Sequence, residues 1–192
     1  MNRKKKLSSD HPLRKLFAKA VDFGFAMYPA EKDGVDEYIQ DQILCEFIHI
    51  DSLCRIKDSA GSPLEDIADL LAEGDVRLHA SDFTKEFTVH KHIGDYTLFM
   101  LGMFPMALAG RKGKEFLLGR LVIPGSSMYQ QYLLQGQRSY SLASEFTDHD
   151  LFRKLAANFL LYRNVLEFAR IFLDSTKNRD YHRAKKIIAE MD

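Results

Sequence analysis

The chain has 192 residues, 46% of them hydrophobic and 28% charged, with 27 basic and 27 acidic side chains. That length and balance suit one domain with a sizeable core and exclude wholesale disorder. A net charge of zero also removes the overall field that would draw a polyanion to the surface.

Residues 1–11 read as a disordered basic start, with Arg3 to Lys6 solvated rather than the opening of a secretion signal. Arg14, Lys15, Lys19 and Asp22 interrupt what would have to be its apolar core. Pro12 opens a first helix reaching about Tyr28, with Leu13, Leu16, Phe17, Ala20, Val21, Gly24 and Met27 on one face. That face spans more than half the helix circumference, more than one neighbour requires, so the 12–28 helix is the expected contact for a protein partner or a second copy.

After the Pro29–Gly34 turn, a helix is predicted from Asp36 to Lys57, with Ile39, Ile43, Phe47, Ile50, Leu53 and Cys54 as its stripe. Cys45 and Cys54 on that one helix stand roughly 13 Å apart at 1.5 Å rise per residue, beyond disulfide reach. Both are expected as reduced thiols of a cytoplasmic protein. Ser62-Pro63 starts a third helix that stops near Gly74. Asp82 caps a long fourth helix to Phe104, with Phe83, Val89, Ile93, Met100, Leu101 and Phe104 on one arc and Thr88, Lys91 and Asp95 opposite. His92–Asp95 is an expected kink and Pro105 an expected end.

The longest apolar run, Tyr96 to Gly110, holds about 15 residues, short of the roughly 20 needed to span a bilayer, so a soluble protein is expected. Residues 110–127 are irregular: Gly110-Arg111-Lys112-Gly113-Lys114 reads as a surface loop, and Leu117–Ile123 as a short extended piece without a partner strand. Ser126 or Ser127 caps a helix to about Phe146, with Met128, Tyr132, Leu142 and Ala143 on its face. Asp148 or Asp150 caps one continuous helix to Asp174, with Leu151, Leu155, Tyr162, Leu166, Ala169 and Leu173 inward; a last helix starts near Asp180. The pattern is all-α: a single-domain bundle of six to seven helices over residues 12–175, followed by a short C-terminal helix or tail, 176–192.

Several polar side chains fall where the pattern wants apolar ones. Glu86, His90 and Thr97 lie inside the arc of the fourth helix; Glu46 sits in the stripe of the second, with His49 on its flank. Asn158 falls on the Leu151 face, and Gln135 and Ser139 on the Met128 face. Were these layers to coincide, they would form a buried polar layer of Glu46, His49, Glu86, His90, Thr97 and Asn158. Glu46-x-x-His49 has the i, i+3 spacing by which a carboxylate and an imidazole reach one ion in helical di-iron proteins. That template needs two further carboxylates, and here Asn158 and Gln135 stand in their places. The count favours a hydrogen-bonded polar network over a metal centre, and no cofactor is expected. His90 and His92 point about 200° apart on a helix and cannot chelate together. No nucleophile elbow or phosphate-cradling loop occurs, and without a recognition helix the basic termini do not predict nucleic-acid binding.

Val89-His90-Lys91-His92-Ile93-Gly94-Asp95-Tyr96-Thr97-Leu98-Phe99, continuing to Met103-Phe104-Pro105, resembles a stretch of uncharacterised bacterial helical proteins. Gly136-Gln137-Arg138-Ser139-Tyr140-Ser141-Leu142-Ala143 resembles a second stretch of that group. With the helix spacing the similarity covers roughly residues 12–175. It implies a bacterial cytoplasmic protein with no assigned activity, and carries no catalytic residues. The expectation is a non-enzymatic interaction or self-assembling module. The alternative is a helical enzyme binding a metal or small ligand through Glu46, His49, Glu86 and His90.

Overall fold

The computed structural model describes residues 7–8, 10–47, 83–106 and 127–189. The predicted 62–74 helix, the second half of the 36–57 helix, the Asp82 cap, the 110–126 stretch, His49 and Cys54 lie outside the described residues. Every regular element among the described residues is helical, and the helices pack as one all-α bundle. No helix among them is long and apolar enough to cross a membrane.

α1 (Pro12–Met27) starts where expected: proline occupies the first turn, and the His11 ring nitrogen Nδ1 accepts from the Leu13 N–H at 3.2 Å. Its buried residues are Leu13, Phe17, Ala20, Val21, Gly24 and Phe25, whereas Met27, assigned to the same face by periodicity, is exposed. Asp33 and Gly34, with φ of 33° and 80°, turn the chain into α2 (Val35–Tyr38). α2 continues as a π-helix over Ile39–Leu44 and ends in α3 (Cys45–Phe47). Arg14 ties this segment to α1 through a 2.6 Å bond to Asp41.

α4 (Phe83–Met103) runs unbroken through His92–Asp95, so the expected kink is absent; the helix stops one residue before Phe104-Pro105. From Val89 to Phe104 every residue except Lys91 is buried. α4 lies at the centre of the bundle, packed on α5 (Met128–Ser144), on α7 (Phe159–Ser175) and on the π-helix. A two-sided stripe is therefore the wrong description of α4, because a helix surrounded by neighbours has no solvent face.

α5 opens with a capping box, Ser127 and Gln130 each bonding the other's backbone. The expected single helix from Asp150 to Asp174 is instead two, α6 (Leu151–Ala157) and α7, joined at Asn158, whose φ and ψ of −115° and 28° are not helical. Asparagine leaves a helix readily because its amide competes for backbone hydrogen bonds. The break turns Asn158 outward and brings Phe159 into the core.

Close helix approach depends on missing side chains. A Cβ on Gly24 would lie 2.4 Å from the Val165 carbonyl oxygen, so α1 rests directly on the backbone of α7. α8 (Arg179–Ala189) is held by the end of α7: the Tyr181 hydroxyl donates to Asp174 at 2.9 Å, and Lys185 and Arg170 pair with the same carboxylate. Partial burial opposes ionisation of Asp174, but the bonds from Lys185 and Tyr181 and the charges of Lys185 and Arg170 outweigh it and hold the carboxyl below its usual 3.8.

Gly24→Ala is expected to destabilise the chain by about 1–3 kcal/mol in urea unfolding, since the Val165 backbone cannot move aside. Because the folded pKa of Asp174 is depressed, its share of stability is present above the ordinary carboxylate pKa and is lost as pH falls through the lowered value. Amide exchange in α8 should therefore accelerate relative to α4 between about pH 4 and pH 2, an acceleration that Asp174→Asn removes.

Candidate functional site

Among the described residues the buried carboxylate is Asp95, which periodicity had placed on the solvent side of the fourth helix. It is only 3% exposed. Its Oδ1 accepts from the Tyr38 hydroxyl at 2.6 Å and the Tyr140 hydroxyl at 2.8 Å, and its Oδ2 from Lys91 Nζ at 2.6 Å. One carboxylate thus joins α2, α4 and α5. Lys91 also stands over the Tyr38 ring, 5.1 Å from its centroid, which spreads part of its charge onto the aromatic face.

Each donor arrives for a local reason. Lys91 and Asp95 are one helical turn apart on α4. Tyr140 reaches Asp95 because position 94 is glycine: a Cβ there would sit 2.6 Å from the Tyr140 ring. Tyr38 is the last residue of α2 before the π-helix. Phe152 of α6 packs edge-on to Tyr38 at 5.7 Å, and also meets Tyr140 at 6.0 Å and Phe87 at 5.5 Å. Phe159 lies 5.9 Å from Tyr140 on another side. These rings keep water from a charge that three donors already satisfy.

Burial pushes the Tyr38 hydroxyl well above the usual tyrosine pKa, and the Asp95 charge, Tyr140 and Glu46 push the same way. Burial, then the Asp95 charge and bond, do the same to Tyr140. Both phenols are therefore held as neutral donors. The arrangement holds a carboxylate firmly between three internal donors.

The residues expected to form a polar layer fall in different places. His90 is buried beside Lys91 on α4. Glu46 is half-buried on α3, near enough for its charge to act on Tyr38. Glu86 is half-buried rather than core-facing, because it belongs to the first turn of α4, before that helix enters the bundle. Thr97 is fully buried but returns its hydroxyl to its own helix, donating to Ile93 and Gly94 carbonyls at 2.8 and 3.0 Å. Gln135 donates to Ser139, also within one helix. Asn158 is exposed. Among the described residues no three His, Cys, Asp or Glu side chains converge as a metal site would require, and His49 lies outside them.

Tyr38, Tyr140, Lys91 and Asp95 were not singled out from sequence. The available signal was Gly94 in the middle of a long apolar helix, next to an acid that has a lysine one turn before it. A separate open cleft of about 340 Å³ lies between Asp33-Gly34 and His149–Lys154. Phe152 lines it, but Asp95, Lys91, Tyr38 and Tyr140 do not, and Lys154 is already paired with Asp33. No family model, curated protein or solved structure matches the chain.

Asp95→Ala should cost about 1–3 kcal/mol for each buried donor it leaves without an acceptor, the Tyr38 and Tyr140 hydroxyls. Tyr140→Phe should cost about 1–3 kcal/mol, the worth of one bond to a charged acceptor in an otherwise unchanged ring cluster. In a urea-unfolding double-mutant cycle, Tyr38→Phe and Tyr140→Phe are expected to couple by more than about 0.5 kcal/mol, as two donors on one oxygen should.

Proposed function

We propose that the protein is a non-enzymatic interaction module of a bacterial cytoplasm, binding through the shared outer face of α1 and α7. The observation that carries this reading is a row of apolar side chains outside the core. Met27 is 52% exposed, Tyr28 37%, Leu160 47% and Ile171 46%. Between them, Phe23 packs on Phe172 at 5.4 Å and Tyr28 stacks on Phe168 at 6.4 Å, so aromatic rings fill the seam between the two helices. Single exposed apolar residues need no explanation, but Met27, Tyr28, Leu160 and Ile171 are exposed on two helices that pack on each other. The bacterial cytoplasmic setting is proposed on the resemblance of residues 89–105 and 136–143.

The chemistry inside the bundle supports the same reading. Asp95 accepts three bonds from internal donors, which suits a structural tie. The enzymatic alternative needs Glu46, His49, Glu86 and His90 to share an ion, and His49 lies outside the described residues.

In fresh lysate the native chain should migrate above its monomer mass of 22.1 kDa, and Ile171→Asp should return it to monomer size. The substitution sits on an exposed position and should change unfolding free energy by less than about 0.5 kcal/mol. Migration at monomer mass in lysate would sink the interaction reading. More than about one-tenth of an equivalent of iron, manganese or zinc in the purified protein, lost in Glu46→Gln, would favour the enzymatic one.

A further inference from the structure

We propose that the π-helix Ile39–Leu44 is a built-in register shift. It absorbs one residue more than an α-helix needs, so that Tyr38 stays on Asp95 while Leu44 enters the core and Glu46 stands beside Tyr38. This goes beyond the reading of the outer face and does not depend on it.

The backbone bonds reveal the extra residue. At the end of α2 the Ile39 N–H reaches the carbonyls of Asp36 and Val35, three and four residues back. Across the next turn the ladder lengthens, and the Cys45 N–H donates to the Gln40 carbonyl, five residues back. A helix that passes from four-residue to five-residue bonding and returns has taken in one residue. Everything beyond is then turned back by about 100° relative to an uninterrupted helix. Such a turn interrupts the backbone ladder, so it persists only where the shift gains something larger.

The side chains show that gain. Measured from Tyr38, an uninterrupted helix sets Val35, Ile39 and Ile43 at about 60°, 100° and 140°, one arc facing the core. Leu44 then stands at about 240°, roughly 100° past the edge of that arc. Leu44 is nonetheless buried, 2% exposed, alongside Ile39 and Ile43 at 0%. Subtracting the shift puts Ile43 at about 40° and Leu44 at about 140°, which returns both to the arc. The same shift relocates Glu46. Without it Glu46 would stand at about 80°, in mid-arc, where a carboxylate needs a buried partner; with it Glu46 lies within about 20° of Tyr38, at the edge. There it is half-buried and its charge acts on the Tyr38 hydroxyl. Cys45, also buried, falls on the flank of Asp41, whose bond to Arg14 shows that this side meets α1. The two ends thus answer to different partners, Tyr38 to Asp95 at 2.6 Å and Leu44 to the core. No uninterrupted helix of this sequence meets both.

Deleting Gln42 from the full chain should convert the π-helix to α-helix without moving either end, because the residue removed is the one the turn absorbs. The thermal midpoint should lie within about 8 °C of that of Gln42→Ala, which controls for the lost side chain. Deleting Arg138, an exposed residue of the regular helix α5, should lower the midpoint by more than about 15 °C, since it turns Tyr140 by about 100° against the first half of α5. With Cys54→Ser in every variant, Cys45 of the Gln42 deletion should be alkylated less than about tenfold faster than in the native chain. Tyr38→Phe should lower the midpoint equally in the native and deleted chains, because the bond to Asp95 survives. A larger drop for the Gln42 deletion, its failure to fold, faster alkylation of Cys45, or loss of the Tyr38→Phe effect each overturns the proposal. An Arg138 deletion as mild as that of Gln42 overturns it as well, since any helix would then tolerate the loss.

Discussion

The bundle depends on keeping the charge of Asp95 out of water. An isolated buried carboxylate is untenable, so the fold must bring a cation and hydroxyl donors to it. It does so from three directions: Lys91 from the same helix, Tyr38 from α2 and Tyr140 from α5. Apolar contacts tolerate small slides; three bonds to two oxygens do not. The carboxylate therefore sets the register of α2 and α5 against α4 in a way that burial alone would leave loose.

Much of the surrounding construction makes room for that tie. Gly94 clears the path of the Tyr140 ring. Gly136 does the corresponding work one turn earlier on α5, where a Cβ would lie 2.4 Å from Phe159 and 2.5 Å from the Thr97 hydroxyl. Phe152, between Tyr38 and Tyr140, connects α6 to the network. These residues lie in the α4–α5–α6 part of the bundle, while α1 and α7 pack closely through Gly24. The molecule thus separates a polar, tightly registered interior from an outer α1–α7 ridge rich in aromatic rings. The first is suited to holding a shape.

Sequence periodicity found α1, α4, α5 and the hydrophobic face of α7 almost to the residue, because apolar spacing at 3.6 and clear caps are local properties. It failed where neighbours decide. A stripe implies a wet side, and α4 has none between Val89 and Phe104, so Asp95 was assigned to solvent when it lies at the centre. Asn158 was assigned inward because α6 and α7 were read as one helix, and their break turns it out. Met27, placed in the core by the same rule, is at the surface, where the α1–α7 ridge begins.

What the residues alone determined was the class: helices of these lengths, amphipathic enough to bury one another, with polar groups that had to be satisfied somewhere inside. Buried groups such as His90 and Thr97 could be recognised because an apolar surrounding is legible in the chain. Which donors satisfy which acceptor was decided only by the tertiary structure. Tyr38 and Tyr140 are 57 and 45 residues from Asp95, and no local rule relates positions that far apart. Only the packing of α2 and α5 on α4, with Gly94 leaving space between, brings their hydroxyls to one oxygen.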